Sequence, residues 1–310
     1  MGLMRTALLK GSESRWLADK IRDRAFAKRA VRRFMPGETI EAALSACVSL
    51  HERGMSTVIT QVGEAITDGG SAERVTAHYV AAFDRIRESG LPTELSVKPT
   101  QLGLDVSREV CAAQLETLLD AASRTGSFVW IDMESSPYVD VTLQLYQGLR
   151  LRHHNVGICL QSYLYRTSDD LASLIPLGAA IRLVKGAYME APDTAYPRKS
   201  DVDENFVRLG KRLLGEEARA CGVRVGFGTH DPGVITRIRD FAEGAGIRKD
   251  AYEVQMLYGI RRDEQARLAA AGHRLRVLIS YGSEWFPWYM RRLAERPANL
   301  GFVLRNLLAR

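Results

Sequence analysis

The chain has 310 residues, 46% of them hydrophobic and 26% charged, with 43 Lys and Arg against 37 Asp and Glu and a formal charge of +6. These are globular proportions, and they exclude a disordered tail protein, a collagen-like repeat and a disulfide scaffold. Cys47, Cys111, Cys159 and Cys221 form no C-x-x-C pair, so neither a structural zinc site nor a secreted disulfide framework is indicated, and a reducing cytoplasm fits.

Up to about residue 56 the pattern is helical, with Trp16, Leu17, Ile21 and Ala25 near the 3.6-residue period. Met35-Pro36-Gly37 breaks it before a second helix through Ala42, Leu44 and Leu50. This arm, residues 1–56, carries Arg15, Lys20, Arg22, Arg24, Lys28, Arg29, Arg32 and Arg33. Asp19 and Asp23 interleave with those cations, which reads as a solvated face ahead of an anionic-surface site. No stretch reaches the roughly 18 apolar residues of a membrane span, and the N-terminus lacks the apolar run of a secretory signal.

From Thr57 the texture changes. Short β-rich runs are expected at Thr57 to Gln61, Glu94 to Lys98, Phe128 to Met133, Val156 to Gln161, Ala180 to Lys185, Arg224 to Gly228, Tyr252 to Leu257 and Leu275 to Ser280. Helices are predicted between them at Ala72 to Arg87, Arg108 to Arg124, Val139 to Arg150, Asn205 to Ala220 and Glu264 to Ala271. About eight β-then-α units is the number that closes a (βα)₈ barrel of the α/β class, so residues 57–310 are expected to form a TIM-like barrel behind the helical extension. Right-handed crossovers make the strands parallel and bring their C-terminal ends to one rim.

The strand ends are chemically loaded: Gln61 with Glu64, Lys98, Asp132 with Met133 and Glu134, Gln161, Arg182 with Lys185, Thr229 with His230 and Asp231, Gln255, and Tyr281. Such groups would be costly inside a barrel unless paired, whereas at an accessible mouth they make an active site. A metal centre is not indicated, because His230 is the one well-placed histidine and His153-His154 lie on a bottom connection. A Schiff-base lysine at Lys98 or Lys185 stays open, as does a non-catalytic barrel binding a small carboxylate. So does a cofactor, since Gly186-Ala187 and Gly226-Phe-Gly228-Thr229-His230 place small residues near helix starts where free N–H groups hold phosphate. The glycine spacing is not the dinucleotide fingerprint. Adjacent Arg291 and Arg292, on a helix with Trp285, Trp288 and Tyr289, suggest a carboxylate or phosphate on the substrate.

Taken together, Arg182-Leu-Val-Lys-Gly-Ala-Tyr188, Gly228-Thr-His230, Tyr252-Glu-Val-Gln-Met-Leu257, Tyr281-Gly282 and Trp288-Tyr-Met-Arg-Arg-Leu-Ala-Glu295 resemble the proline dehydrogenase family in its monofunctional bacterial form. The resemblance implies a distorted barrel that binds FAD and oxidises L-proline to 1-pyrroline-5-carboxylate, passing electrons to a membrane quinone. It implies that Arg291, Arg292 and Lys98 clamp the proline carboxylate, with Asp132 orienting Lys98 and Glu64 pairing with Arg291. Tyr281, Leu257 and Tyr188 become walls of the pyrrolidine site, and Arg182 lies near flavin N5. Met133, Gln161, Lys185, Gly186, Ala187, Thr229, His230 and Gln255 are expected to hold the flavin. Trp288 replaces the family's tyrosine and loses its hydroxyl. On this reading a 1-pyrroline-5-carboxylate dehydrogenase is a further partner, nucleic acid is not, and the protein is cytoplasmic and peripheral at the inner membrane face.

Overall fold

A computed structural model describes residues 31–63, 65–286, 289 and 290. Eight strands form a closed, all-parallel barrel in sequence order. Helix α1 (Ile40–His51) precedes strand β1 (Ser56–Gln61), and α2 (Gly69–Ser89), β2 (Thr93–Val97), α3 (Arg108–Arg124) and β3 (Val129–Ile131) follow. Next come α4 (Val139–Arg150), β4 (Val156–Gln161), α5 (Thr167–Leu174) and β5 (Ala180–Val184). The chain continues through α6 (Lys199–Leu213), α7 (Glu216–Ala220), β6 (Arg224–Gly228), α8 (Pro232–Gly244), β7 (Tyr252–Leu257), α9 (Arg262–Ala270) and β8 (Arg274–Tyr281). Closure is made by β1 against β8, in register from Ser56↔Arg276 to Gln61↔Tyr281.

Local chemistry sets the helix starts. Asp68 accepts from Ser71 N at 2.8 Å and Ser107 from Val110 N at 3.1 Å, each satisfying an amide with no partner inside its helix. Asp231 caps α8 directly before Pro232, which suits a first helical turn that needs no N–H there. The helix expected over 205–220 is two helices beginning earlier, interrupted at Gly215. Helices α5 and α8 occupy two connections for which no helix bounds were predicted. The expected first helix, over Trp16 to Ala25, lies outside the described residues.

The core is an annulus between barrel and helices, where Ile59, Leu95, Ile131, Ile181, Val254 and Ile279 meet α1 to α9, for example through Cys47, Phe83, Leu118 and Leu268. A separate small cluster, Val58, Trp130 and Ala180 with Phe128 and Leu278, fills part of the interior. The two sets follow the two-residue alternation of a strand, one face inward and one outward. The interior is therefore reached by every second residue, and much of what points there is charged.

Candidate active site

The interior positions of β2, β6, β7 and β8 carry Glu94, Arg224, Glu253 and Arg276. Arg276 Nε donates to both Glu253 oxygens at 3.1 and 3.2 Å, and Arg224 Nη2 reaches Glu94 at 2.7 Å and Glu253 at 3.3 Å. Trp130 Nε1 donates to the other Glu94 oxygen at 2.6 Å. Burial alone would raise the Glu253 carboxyl, but the Arg276 and Arg224 guanidiniums overcome it and hold it below the ordinary value. These charges tolerate burial because each has an opposite partner and directed hydrogen bonds.

Arg182 lies one layer nearer the C-terminal rim and is 3% exposed. Its Nη1 donates to Asp132 Oδ1 at 3.0 Å and to Ser96 Oγ at 2.8 Å, its Nε donates to Gln255 Oε1 at 2.5 Å, and its carbon sits 4.6 Å from the Trp130 ring centroid. Asp132 Oδ1 also receives Ser96 Oγ at 2.9 Å and Cys159 Sγ at 3.2 Å. Through that oxygen Asp132 orients Arg182. Burial pushes the Cys159 thiol up, so no thiolate nucleophile is available here.

Around this centre the rim gathers most of the expected residues. Gln161, 2% exposed, donates Nε2 to the carbonyls of Met133 and Glu134 at 3.0 and 3.2 Å. The Glu134 carboxylate is taken up by Thr100, whose N and Oγ1 donate at 2.9 and 2.8 Å, so it braces the loop after β2. Leu257 N donates to His230 Nε2 at 2.8 Å, which leaves the neutral imidazole its proton on Nδ1. Lys185 bonds Asp203 and, at 2.9 Å, Asp231, and Lys199 joins the same two carboxylates. Partial burial would raise the Asp231 carboxyl, yet the two ammonium groups keep it well below the usual carboxylate range.

The loop after β5 is shaped by Gly186, whose φ of +114° disfavours any L side chain and whose Cβ position falls inside the Tyr163 ring contact. Four residues on, the Glu190 carboxylate receives Ser136 N at 2.8 Å and Ser136 Oγ at 2.5 Å, tying the Ala187–Tyr188 segment to the loop after β3. Strand β6 points Gly226 and Gly228 inward, and a Cβ on Gly226 would lie 2.6 Å from Gln255 Nε2. Glycine lets the Gln255 amide lie flat against the strand.

Tyr281 departs from its expected place. On β8 the interior residues are Arg276, Leu278 and Ser280, so Tyr281 faces the helices and belongs to the outer core with Ile59 and Ile279. Its hydroxyl is 2.9 Å from His78 Nε2 on α2, and burial pushes the phenol up. Leu278 is the apolar residue of that strand facing inward. Leu257 ends β7 in register with Leu278, and Lys98 directly follows the last residue of β2. Glu64, Trp288, Arg291, Arg292 and Glu295 lie outside the described residues. Two cavities, of about 420 and 540 Å³, flank the loop after β7 near Pro36, Arg53, Arg33 and Arg262 and include none of the expected site residues.

This sequence matches the family model described as proline dehydrogenase over residues 43–305. The chain belongs to the proline dehydrogenase family. It is 37% identical over 277 residues to proline dehydrogenase 1 of Bacillus subtilis, covering 89% of this chain and 90% of that one. It is also 37% identical over 281 residues to the proline dehydrogenase of Deinococcus radiodurans, covering 89% of each chain. The bifunctional protein PutA of Escherichia coli is 26% identical over an alignment of 315 positions, which covers 88% of this chain and 24% of that one. A solved structure of proline utilization A from Bdellovibrio bacteriovorus, inactivated by N-propargylglycine, shares the fold with a TM-score of 0.82 at 22% identity. The match covers 94% of this chain and 36% of that one. As a proline dehydrogenase the chain is an oxidoreductase of a flavoprotein family, and the rim residues fit such a group. Gln161 Oε1 and Arg182 Nη2, like Gln61 Oε1 at the end of β1, are buried polar atoms with no hydrogen-bond partner among the described residues.

Proposed function

We propose that this protein oxidises L-proline to 1-pyrroline-5-carboxylate with non-covalently bound FAD and passes the electrons to a membrane quinone. The observation that carries the reading is the pairing of family membership with an Arg182 guanidinium that is buried, fixed at Nε and Nη1, and left one unused donor group at the rim. When bound, FAD supplies the two-electron acceptor for the hydride of proline C5, chemistry that side chains cannot supply.

The chain's own residues do the binding and orienting. Arg182 places a fixed positive charge where negative charge accumulates on reduction, already desolvated so that it needs no reorganisation. Gln161 Oε1 offers an acceptor from a side chain whose Nε2 is pinned by two backbone carbonyls. Leu257 and Leu278, with Tyr188, bound the apolar part of the substrate, and Lys98, Arg291 and Arg292 grip its carboxylate while Glu64 pairs with Arg291. Proline is mainly zwitterionic at neutral pH, so turnover rises with pH as the amine deprotonates. A 1-pyrroline-5-carboxylate dehydrogenase is the enzyme class that consumes the product, and the match to bifunctional PutA supports that pairing.

The competing Schiff-base reading is disfavoured at Lys185, whose ammonium is committed to Asp203 and Asp231, the opposite of the charge-stripped setting an amine nucleophile needs. The purified protein is expected to be yellow, and its visible flavin bands to bleach on anaerobic addition of proline. A colourless protein that takes up no FAD, or a lysine trapped by borohydride in the presence of substrate, would overturn the reading.

A further inference from the structure

The Gln255 amide joins two buried charge systems. Its Oε1 accepts from Arg182 Nε at 2.5 Å and its Nε2 donates to Glu253 Oε1 at 2.5 Å. An amide has one acceptor end and one donor end, so the two contacts are mutually dependent. Glu253 is acceptor-only and compels the NH₂ toward itself, which turns the carbonyl toward Arg182. Were the amide reversed, two N–H groups would face each other at the guanidinium and two oxygens at the carboxylate. Glu253 is itself fixed, held through both oxygens by Arg276 and through one by Arg224. Arg276 is anchored in turn by donating to Thr57 O at 2.8 Å. Glu253, Gln255 and Arg276 are each at most 4% exposed, so no water competes for these positions.

From this we infer that Glu253, a residue remote from the rim, is a positioning residue that sets Arg182 through Gln255 and thereby tunes the reduction potential of the flavin. The inference rests on the reading in which Arg182 stands beside that flavin. The mechanism is orientational. With Nε held by Gln255 and Nη1 by Ser96 and Asp132, the planar guanidinium has one allowed pose, and that pose leaves Nη2 without a partner among the described residues. Without a fixed acceptor at Nε the plane is free to rotate about its Nη1 contact, and the cation retreats from where reduction places negative charge.

The sign of the effect separates orientation from simple charge. Glu253→Gln removes a negative charge, and by Coulomb's law alone this raises the flavin potential; by loss of the amide lock it lowers it. The potential is measured on the FAD-loaded protein by anaerobic equilibration with reference dyes. We expect a negative shift in Glu253→Gln and a negative shift in Gln255→Met, which cuts the link without changing charge. Glu253→Gln leaves Arg276 short of a partner and weakens the fold, so Gln255→Met decides the matter if the first variant does not fold. An unchanged or positive shift in either folded variant overturns the inference. Arg182→Met is the control: a negative shift there with none in the other two removes only the positioning role, whereas no shift in Arg182→Met removes the placement of Arg182 beside the flavin and the inference with it.

Discussion

Arg182 and Ser96 converge on one oxygen of Asp132, donating to Oδ1 from 3.0 and 2.9 Å. A carboxylate receiving a guanidinium and a hydroxyl in this geometry both neutralises the cation and fixes its plane. Asp132→Asn keeps the shape and discards the charge. We expect kcat/KM for proline to fall about 10- to 100-fold, equivalent to about 1.4 to 2.8 kcal/mol, in a protein whose melting temperature is little changed. Wild-type turnover in the folded variant would reduce the pair to a structural contact.

Tyr281 gives the sharpest contrast between sequence resemblance and observed geometry. Tyr281→Phe loses only the hydroxyl that meets His78, a part-buried hydrogen bond worth about 1 kcal/mol. We expect a small drop in stability by denaturant titration and an unchanged KM for proline. A severalfold rise in KM would return the phenol to the substrate wall.

Gly186→Ala combines an unfavourable φ with a collision against the Tyr163 ring. The backbone cost is about 1 to 3 kcal/mol, and relief requires either the ring or the loop to move. Since this loop carries Ala187 and Tyr188, the expected result is a protein that retains its barrel by circular dichroism but binds less flavin per chain. Full flavin content with unaltered stability would show that the loop has slack that its contacts do not suggest.

The lower face offers a pH test. Glu116 receives Arg152 Nη2 at 2.8 Å and His153 Nε2 at 2.8 Å, hydrogen bonds that hold its carboxyl at about 2 against an ordinary 4.5. A carboxyl lowered in the folded state binds protons more readily when unfolded, so its stabilisation is complete above about pH 4.5 and fades as pH falls toward 2. The group is 37% exposed and solvent screens it, so the contribution at neutral pH is under about 1 kcal/mol. Glu116→Gln is expected to be slightly less stable than wild type at pH 6 and equal to it near pH 2. A constant difference across that range would mean that the charge is not what matters.

The strand ends were legible because each apolar run stops where an inward or rim-facing polar residue begins, as at Lys98, Asp132 and Gln161. Helices α3 and α4 were legible to the residue because their apolar stripes run without interruption from one polar boundary to the next. The bounds of α5 were hidden by its eight-residue length, and the start of α6 at Lys199, ahead of the predicted Asn205, by its charged first turn. The face that Tyr281 takes follows from strand parity: Arg276, two positions before Leu278, fixes which face of β8 is interior. The ionic layer of Glu94, Arg224, Glu253 and Arg276 was missed although its signal was present, a charge standing at alternate positions inside otherwise apolar strands. No single strand announces the layer, because burying one such charge alone is prohibitive and its partner lies on another strand.

Inside the barrel three guanidiniums, Arg182, Arg224 and Arg276, stand against three carboxylates, Asp132, Glu94 and Glu253. The set carries no surplus charge of either sign, so any solitary replacement leaves one uncompensated charge in a medium with little solvent to screen it. Divergence of this protein's descendants at those six positions is thereby confined to compensated exchanges, each reached through an ancestor less stable than either endpoint.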